Sequence, residues 1–140
     1  MPEGLRGAYV RNGFNPAGRV PWHWFFGAGM VHGFEIADGR VSYRNRYVHT
    51  PYVDNDLDMM EGIGDLTLSP ANTHIIEHGG RLLALEEAHF PYELGRELNT
   101  VGCFDFDGRL TTPTPESETP HAHPRHRRRR HLAGRARDHR

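Results

Sequence analysis

Apolar and polar residues alternate with a period of two along several short runs of this chain. The runs 30–36 (MVHGFEI) and 40–48 (RVSYRNRYV) lie on either side of an Asp-Gly step. Such alternation places successive side chains on opposite faces of a strand, and Asp-Gly is typical of a tight hairpin turn. A second pair of runs, 72–78 and 81–87, flanks Gly-Gly. The pattern therefore predicts two β-hairpins.

The rest of the ordered-looking sequence also favours strands. Residues 7–13 predict a short strand that runs into a turn at Asn12-Gly13, and residues 98–106 predict another strand. Residues 50–70 mix Pro, Asp and Gly without a clear period, which predicts a long connection. No stretch shows a sustained helical period of 3.6 residues. The fold class predicted is all-β, in the form of a sandwich, barrel or propeller.

Composition divides the chain into two parts. Residues 1–120 carry a net charge of −8, whereas residues 121–140 contain eight Arg and a single Asp. The stretch TTPTPESETP (111–120), at the end of the first part, has no periodicity and few apolar residues, which is typical of disorder. We therefore predict a β domain over residues 1–113 and a linker with a disordered Arg/His-rich tail over residues 114–140.

The tail, with its run PHAHPRHRRRRH, allows several interpretations. It lacks the second shell that a specific metal site needs, and it has no interleaved aromatic residues for stacking on nucleic-acid bases. Nucleic-acid binding is therefore not favoured. The 140-residue chain has no lysine, which indicates a GC-rich gene. Reading such a gene out of frame would produce a sequence rich in Arg, His, Pro and Ala, like this tail. An aberrant, frame-shifted end is the favoured interpretation, and a basic arm or a divergent insertion are the alternatives.

Other features restrict the class of protein. A single cysteine, Cys103, excludes an internal disulfide, and we expect its thiol to be buried or half-buried. No run approaches the roughly 18 apolar residues of a transmembrane helix. The first residues do not have the charged and apolar regions of a signal peptide. The expected location is cytoplasmic.

Three stretches, taken in order, resemble the carotenoid cleavage oxygenases, a family that includes the lignostilbene dioxygenases. GAYVRNGFNP (7–16) is similar to the family motif G-x-Y-x-R-N-G-P-N-P. The segment that begins HWFFGAGMVH (from residue 23) is similar to H-W-F-D-G-D-G-M-x-H followed by an NRYVRT-like strand. The segment from Ala71 to Leu94 matches A-N-T-N-x-x-x-H-x-G-x-L-L-A-L-x-E-x-G-x-P-Y-E-L. Three motifs in the correct order are more specific than any one of them.

The resemblance implies a fold and a chemistry. Members of the family are seven-bladed β-propellers in which four histidines hold one Fe(II). With O2, they cleave a carbon–carbon double bond of a carotenoid, apocarotenoid or stilbene. The chain would supply only the first blades of such a propeller and, at most, one iron ligand. It therefore resembles an N-terminal fragment, and we expect the chain alone to be inactive.

Two site residues follow from the resemblance. Glu87 occupies the position of the glutamate in A-L-x-E-x-G-x-P-Y-E-L, which accepts a hydrogen bond from an iron-ligand imidazole. His123, in the sequence HAHPR, resembles the histidine of T-A-H-P-K, the first iron ligand of the family. The match at His123 is poorer, because twelve residues separate it from Leu110 and HRRRRH replaces the segment that follows in the family.

The chain also departs from the motifs. Phe26 and Ala28 replace the two aspartates of W-F-D-G-D-G, and Phe14 replaces a proline. His23, between Trp22 and Trp24, is expected to pack into the core of a blade rather than to bind a ligand.

The alternative to the enzyme is a small non-enzymatic β module whose basic arm binds nucleic acid or an acidic partner.

Overall fold

A computed structural model describes residues 4–111 of the protein and shows two antiparallel sheets. The first sheet has the strand order β1-β2-β3, and the second has the order β4-β5-β6-β7. The strands are β1 Gly7–Asn15, β2 Ala28–Ala37, β3 Arg40–Tyr47, β4 His74–His78, β5 Arg81–Leu85, β6 Tyr92–Leu94 and β7 Thr100–Cys103. The described residues thus have the all-β fold that the alternation predicts.

The two predicted hairpins are confirmed with their turns. Asp38 and Gly39 have φ values of 50° and 72°, and Gly79 and Gly80 have φ values of 58° and 77°. Positive φ at both central residues is the signature of the type I′ turn, whose twist matches that of the flanking strands. These turns place Phe34 opposite Tyr43 in the first hairpin and Ile76 opposite Leu83 in the second.

The predicted turn at Asn12-Gly13 is wrong. Both residues lie inside β1, where Asn12 pairs with Val31 and Gly13 with Met30. Pairing with β2 continues to Asn15. The Asn12 side chain has partners outside its own strand. Its Nδ2 donates to the Ala71 carbonyl at 2.7 Å and to that of His74 at 3.3 Å. Asn12 therefore connects the first sheet to the start of the second.

A small core lies between the sheets. Val31 and Val48 from the first hairpin region meet residues of the second sheet and its loops, and all of them are buried. Gly33 allows this contact, because an added Cβ would lie 2.8 Å from Cδ1 of Leu98. The buried cluster consists of Val31, Val48, Ala71, Ala84, Tyr92, Leu94 and Leu98.

The predicted connection over residues 50–70 contains short helical turns. Helix α1 spans Pro51–Asp54, and Thr50 caps it by accepting a hydrogen bond from the Val53 amide. A 3-10 turn follows at Met59–Gly62, and another precedes β2 at Trp24–Phe26. The buried Thr50 hydroxyl donates to the Ser69 carbonyl at 2.6 Å, so the two ends of the connection lie together. None of the helical turns within residues 4–111 has the length or apolar character needed to cross a membrane.

The thiol of Cys103 is exposed at the end of β7, so the expectation of a buried or half-buried thiol is wrong. Among the described strands, β7 pairs only with β6 and therefore forms an edge of its sheet.

His123 and the rest of the predicted linker and tail lie outside the described residues.

Candidate functional site

The site is built on the turn between β5 and β6, which carries Glu87. Backbone hydrogen bonds hold both ends of this turn. The Leu85 carbonyl accepts from the Thr73 amide at 3.0 Å, and the Phe90 amide donates to the Leu66 carbonyl at 2.7 Å. The turn is therefore attached to the segment before β4 on one side and to the connection after α1 on the other.

Inside the turn, Glu86 is the central acceptor. One of its carboxylate oxygens, Oε2, accepts a hydrogen bond from the Ala88 amide at 3.0 Å and another from Nδ1 of His89. Only 15% of the Glu86 side chain and 13% of the His89 side chain are exposed. Because an ionised carboxylate can only accept, Nδ1 of His89 carries the proton in this contact.

Glu87 lines a cavity of about 160 Å³ beside the turn. Glu87 itself is an exposed residue of the turn, whereas Glu86 and His89 are mostly buried. Its lining combines aromatic side chains with carboxylate, amide and hydroxyl groups. The lining includes Phe14, Phe25, Phe26, Tyr52, Asn72, Thr73, Glu86, Glu87 and His89.

Asn72 fixes the Trp24–Phe26 turn, which contributes Phe25 and Phe26 to the cavity lining. Its side chain is 1% exposed, and Nδ2 donates to the carbonyls of Phe25 and Gly27 at 2.7 Å each. Its Oδ1 accepts from the Thr73 hydroxyl at 3.2 Å. Since each hydrogen-bonding atom of this amide has a partner, Asn72 is a satisfied buried group that sets the position of the Trp24–Phe26 turn.

The predicted packing of Trp22, His23 and Trp24 into a blade core is wrong for the described chain. Trp22 is 75% exposed and Trp24 is 62% exposed. His23 instead caps the 3-10 turn, where Nδ1 accepts from the Phe25 amide at 3.2 Å. The indoles pack on neighbouring rings, Trp24 edge-on to Phe14 at 4.8 Å between centroids. No described element covers this aromatic surface.

Two of the departures from the motifs are located at the cavity. Phe14 and Phe26, which replace a proline and an aspartate of the motifs, both line it, and the Phe26 carbonyl accepts from the Tyr52 hydroxyl at 3.2 Å. Burial raises the pKa of Tyr52 above its usual value, and the nearby carboxylates of Asp58 and Asp56 raise it further. The Tyr52 hydroxyl is therefore a hydrogen-bond donor at neutral pH.

The described residues do not provide a set of metal ligands. Within residues 4–111, no three His, Cys, Asp or Glu side chains converge so that they could hold a metal ion. The iron that the resemblance implies needs several imidazoles together. The described donors therefore do not fit a complete iron site.

Two features of the site were missed by sequence reasoning. His89 stands where the motif A-L-x-E-x-G-x-P-Y-E-L has glycine, which is a detectable signal, but its partner Glu86 occupies a variable position of the motif. Asn72 belongs to the quoted motif, yet its role as an anchor for the Trp24–Phe26 turn depends on contacts across about 45 residues of sequence. Such contacts appear only in the folded chain.

Comparison with protein families gives a match over nearly the whole chain. The family model for retinal pigment epithelial membrane protein matches residues 1–132, a range that includes Glu87 and His123.

Curated relatives of this chain include proteins named as carotenoid-cleaving enzymes. A carotenoid cleavage oxygenase of Mycobacterium tuberculosis is 46% identical over 121 residues, which cover 79% of this chain and 24% of the relative. A carotenoid 9,10(9′,10′)-cleavage dioxygenase of Crocus sativus is 35% identical over 147 residues, covering 79% of this chain and 27% of the relative. The chain spans about a quarter of the length of these relatives.

Solved structures agree in fold. The lignostilbene dioxygenase of Pseudomonas brassicacearum superposes with a TM-score of 0.67 and 30% identity, over 81% of this chain and 27% of the enzyme. A cobalt-substituted apocarotenoid oxygenase of Synechocystis gives a TM-score of 0.65 and 30% identity, over 82% of this chain and 29% of that one. These neighbours are β-propeller enzymes, so the two sheets correspond to part of a propeller. By its family match, its relatives and its fold, this chain belongs to the family of the retinal pigment epithelial membrane protein and the carotenoid cleavage oxygenases.

Proposed function

We propose that this chain is a portion of an Fe(II)-dependent dioxygenase that cleaves a carbon–carbon double bond of a carotenoid, apocarotenoid or stilbene with O2. The observation that carries the proposal is the position of Glu87, the glutamate of the family motif. It lies on a turn that is anchored at both ends and lines a partly aromatic cavity. The proposed location of the protein is the cytoplasm.

Glu87 has the role of orienting an iron-ligand imidazole. A carboxylate that accepts the second N–H of a ligating imidazole fixes its tautomer and ring orientation, and loss of such a partner commonly lowers metal affinity or activity by about 10- to 100-fold. His123 has the role of one iron ligand, and the family match through residue 132 supports this assignment. The remaining ligands come from outside this sequence.

The first test uses the purified 140-residue chain. One iron ligand at most is present, so we expect neither stoichiometric Fe(II) nor cleavage of a stilbene or apocarotenoid in the presence of O2. Metal analysis and product chromatography measure both. Turnover by the chain alone would contradict the assignment of this chain as one portion of a larger site.

The second test places the site in a complete propeller. Residues 7–111 replace the matching region of the Pseudomonas brassicacearum lignostilbene dioxygenase, and the chimera is expected to bind iron and cleave stilbenes. In this chimera, Glu87→Gln should lower kcat or iron affinity by about tenfold or more. Glu77→Gln, at an exposed position of β4, is the matched control and should change neither value by more than about twofold. Equal behaviour of the two variants would exclude the role of Glu87.

A further inference from the structure

The turn that carries Glu87 is shaped by side-chain hydrogen bonds. Residues 85–90, LEEAHF, contain neither Gly nor Pro, the residues that most often impose a turn on the backbone. The hydrogen bonds of Leu85 and Phe90 hold only the two ends of the segment. The path of the chain between these ends depends on contacts made within the turn itself.

Those contacts meet at one atom. Oε2 of Glu86 accepts from the Ala88 amide and from Nδ1 of His89. The residue before Glu87 is therefore bonded to the two residues that follow it. This arrangement restrains the backbone on both sides of Glu87.

Burial makes this contact stronger than an ordinary surface ion pair. Exposed pairs contribute little to stability because water and salt screen them. Here both side chains are at least 85% buried, and the acceptor is shared with a backbone amide. Removing the carboxylate would take away the acceptor of both hydrogen bonds, and one of the two donors is the mostly buried imidazole of His89. Losing the acceptor of a mostly buried donor costs more than losing an exposed hydrogen bond.

We propose that Glu86 and His89 are positioning residues that set the place of the Glu87 carboxylate in the cavity through their hydrogen bond and through the bond to Ala88. The proposal rests on the proposed function of Glu87, since it assigns two further residues to that same site. It also gives different roles to two adjacent glutamates. Glu86 holds the turn, and Glu87 orients the imidazole.

The primary test uses NMR spectroscopy of the 140-residue chain, without iron or substrate. In Glu86→Ala, we expect the Ala88 amide to exchange with solvent about tenfold faster or more, and the Nδ1 proton signal of His89 to be lost. The carboxyl carbon shift of Glu87 should also change. Glu86→Gln keeps an acceptor oxygen and should restore Ala88 exchange to within about threefold of the native rate. The control Glu77→Ala should leave all three signals unchanged.

The second test measures coupling in the chimera described above. If Glu86 acts through Glu87, Glu86→Ala should lower kcat in the native background and have no further effect in the Glu87→Gln background. Additive losses, or native signals for Glu87 in the Glu86→Ala chain, would overturn the positioning role. A Glu87→Gln chimera with native activity would instead overturn the proposed function, so the two failures are distinguishable.

Discussion

Gly29 is the residue at which three segments of the chain meet. Its amide donates to the Pro70 carbonyl at 2.8 Å, and its carbonyl accepts from the Val48 amide at 2.8 Å. A Cβ at this position would lie 2.0 Å from the carbonyl oxygen of Ala71. Glycine is therefore required for contact with the backbone of residues 70–71.

Gly29→Ala tests this contact. A backbone carbonyl cannot move aside as a flexible side chain can, so we expect a loss of about 3 kcal/mol in the free energy of unfolding. Gly7→Ala on β1 is the matched control, because a Cβ there meets nothing within 4 Å. It should change the free energy of unfolding by no more than about 0.5 kcal/mol. Urea denaturation measures both, and equal values for the two variants would contradict the contact.

At the scale of the element, Tyr92 connects β6 to the connection after α1. Its side chain is 3% exposed, and its hydroxyl donates to the Thr67 carbonyl at 2.7 Å. Burial is the main cause that raises the pKa of Tyr92, with smaller contributions from Cys103 and Asp65. The folded chain thus keeps this phenol protonated at a pH at which the unfolded chain ionises it.

The sign of the resulting pH dependence follows from proton binding. The stability contributed by Tyr92 is fully present below its unfolded pKa of about 10, and it is lost as pH rises through the higher folded value. We expect the free energy of unfolding to fall above about pH 10, by up to roughly 1.4 kcal/mol per pH unit for this group. Denaturation at several pH values between 8 and 11 measures the slope.

Tyr92→Phe should reduce that slope, and the remainder comes from Tyr52 and Cys103, whose pKa values are also raised, mainly by burial. Tyr9→Phe, at a position that is 61% exposed, is the matched control and should keep the parent slope. A Tyr92→Phe chain with the full native slope would show that this hydroxyl is not the source of the effect.

The same elements show what the sequence could and could not reveal. The two hairpins were predictable because alternation and turn residues are local signals, and the positive φ values of Asp38, Gly39, Gly79 and Gly80 match them. Strand β6 was missed, because three residues after a proline are too short for a period. The turn at Asn12-Gly13 was predicted wrongly, because an Asn-Gly step indicates a turn only where the strand ends. Here β1 continues to pair with β2 beyond this step.

The candidate site was predictable in part. The motif predicts Glu87 as a site residue, and this residue lines a cavity, but its role stays a prediction. The hydrogen bond between Glu86 and His89 was not predictable, since which carboxylate an imidazole contacts depends on the path of the turn. The exposure of Trp22 and Trp24 was also missed. Large apolar side chains in a sequence predict burial, but they do not show which element covers them.

On the scale of the whole molecule, one face of the first sheet has no described partner. Tyr9, Phe34 and Tyr43 are paired neighbours across β1, β2 and β3 and share that face. They are 61%, 38% and 53% exposed, respectively. An aromatic surface of this kind is typical of an interaction site or of a surface that causes association.

We therefore expect the chain to self-associate with rising concentration. Replacing both Phe34 and Tyr43 with Thr, a residue that favours strands, should weaken association by about tenfold or more, the equivalent of about 1.4 kcal/mol. Val101→Thr, at an exposed position of β7 in the other sheet, is the matched control and should have a smaller effect. Sedimentation velocity over a range of concentrations measures this. A chain that stays monomeric at every concentration would show that the face is stable in water.

The hydrogen bond between Thr50 and Ser69 has a consequence for how chains of this family can differ in length. It holds the two ends of the long connection together, and residues 55–65 form a loop between them. Doubling the length of such a loop costs only about 0.6 kcal/mol of closure entropy. Insertions and deletions should therefore collect between residues 55 and 65. Segment 66–72 should tolerate none, because a one-residue slip there would separate Leu66 from Phe90, Ala71 from Gly29 and Asn72 from the Trp24–Phe26 turn.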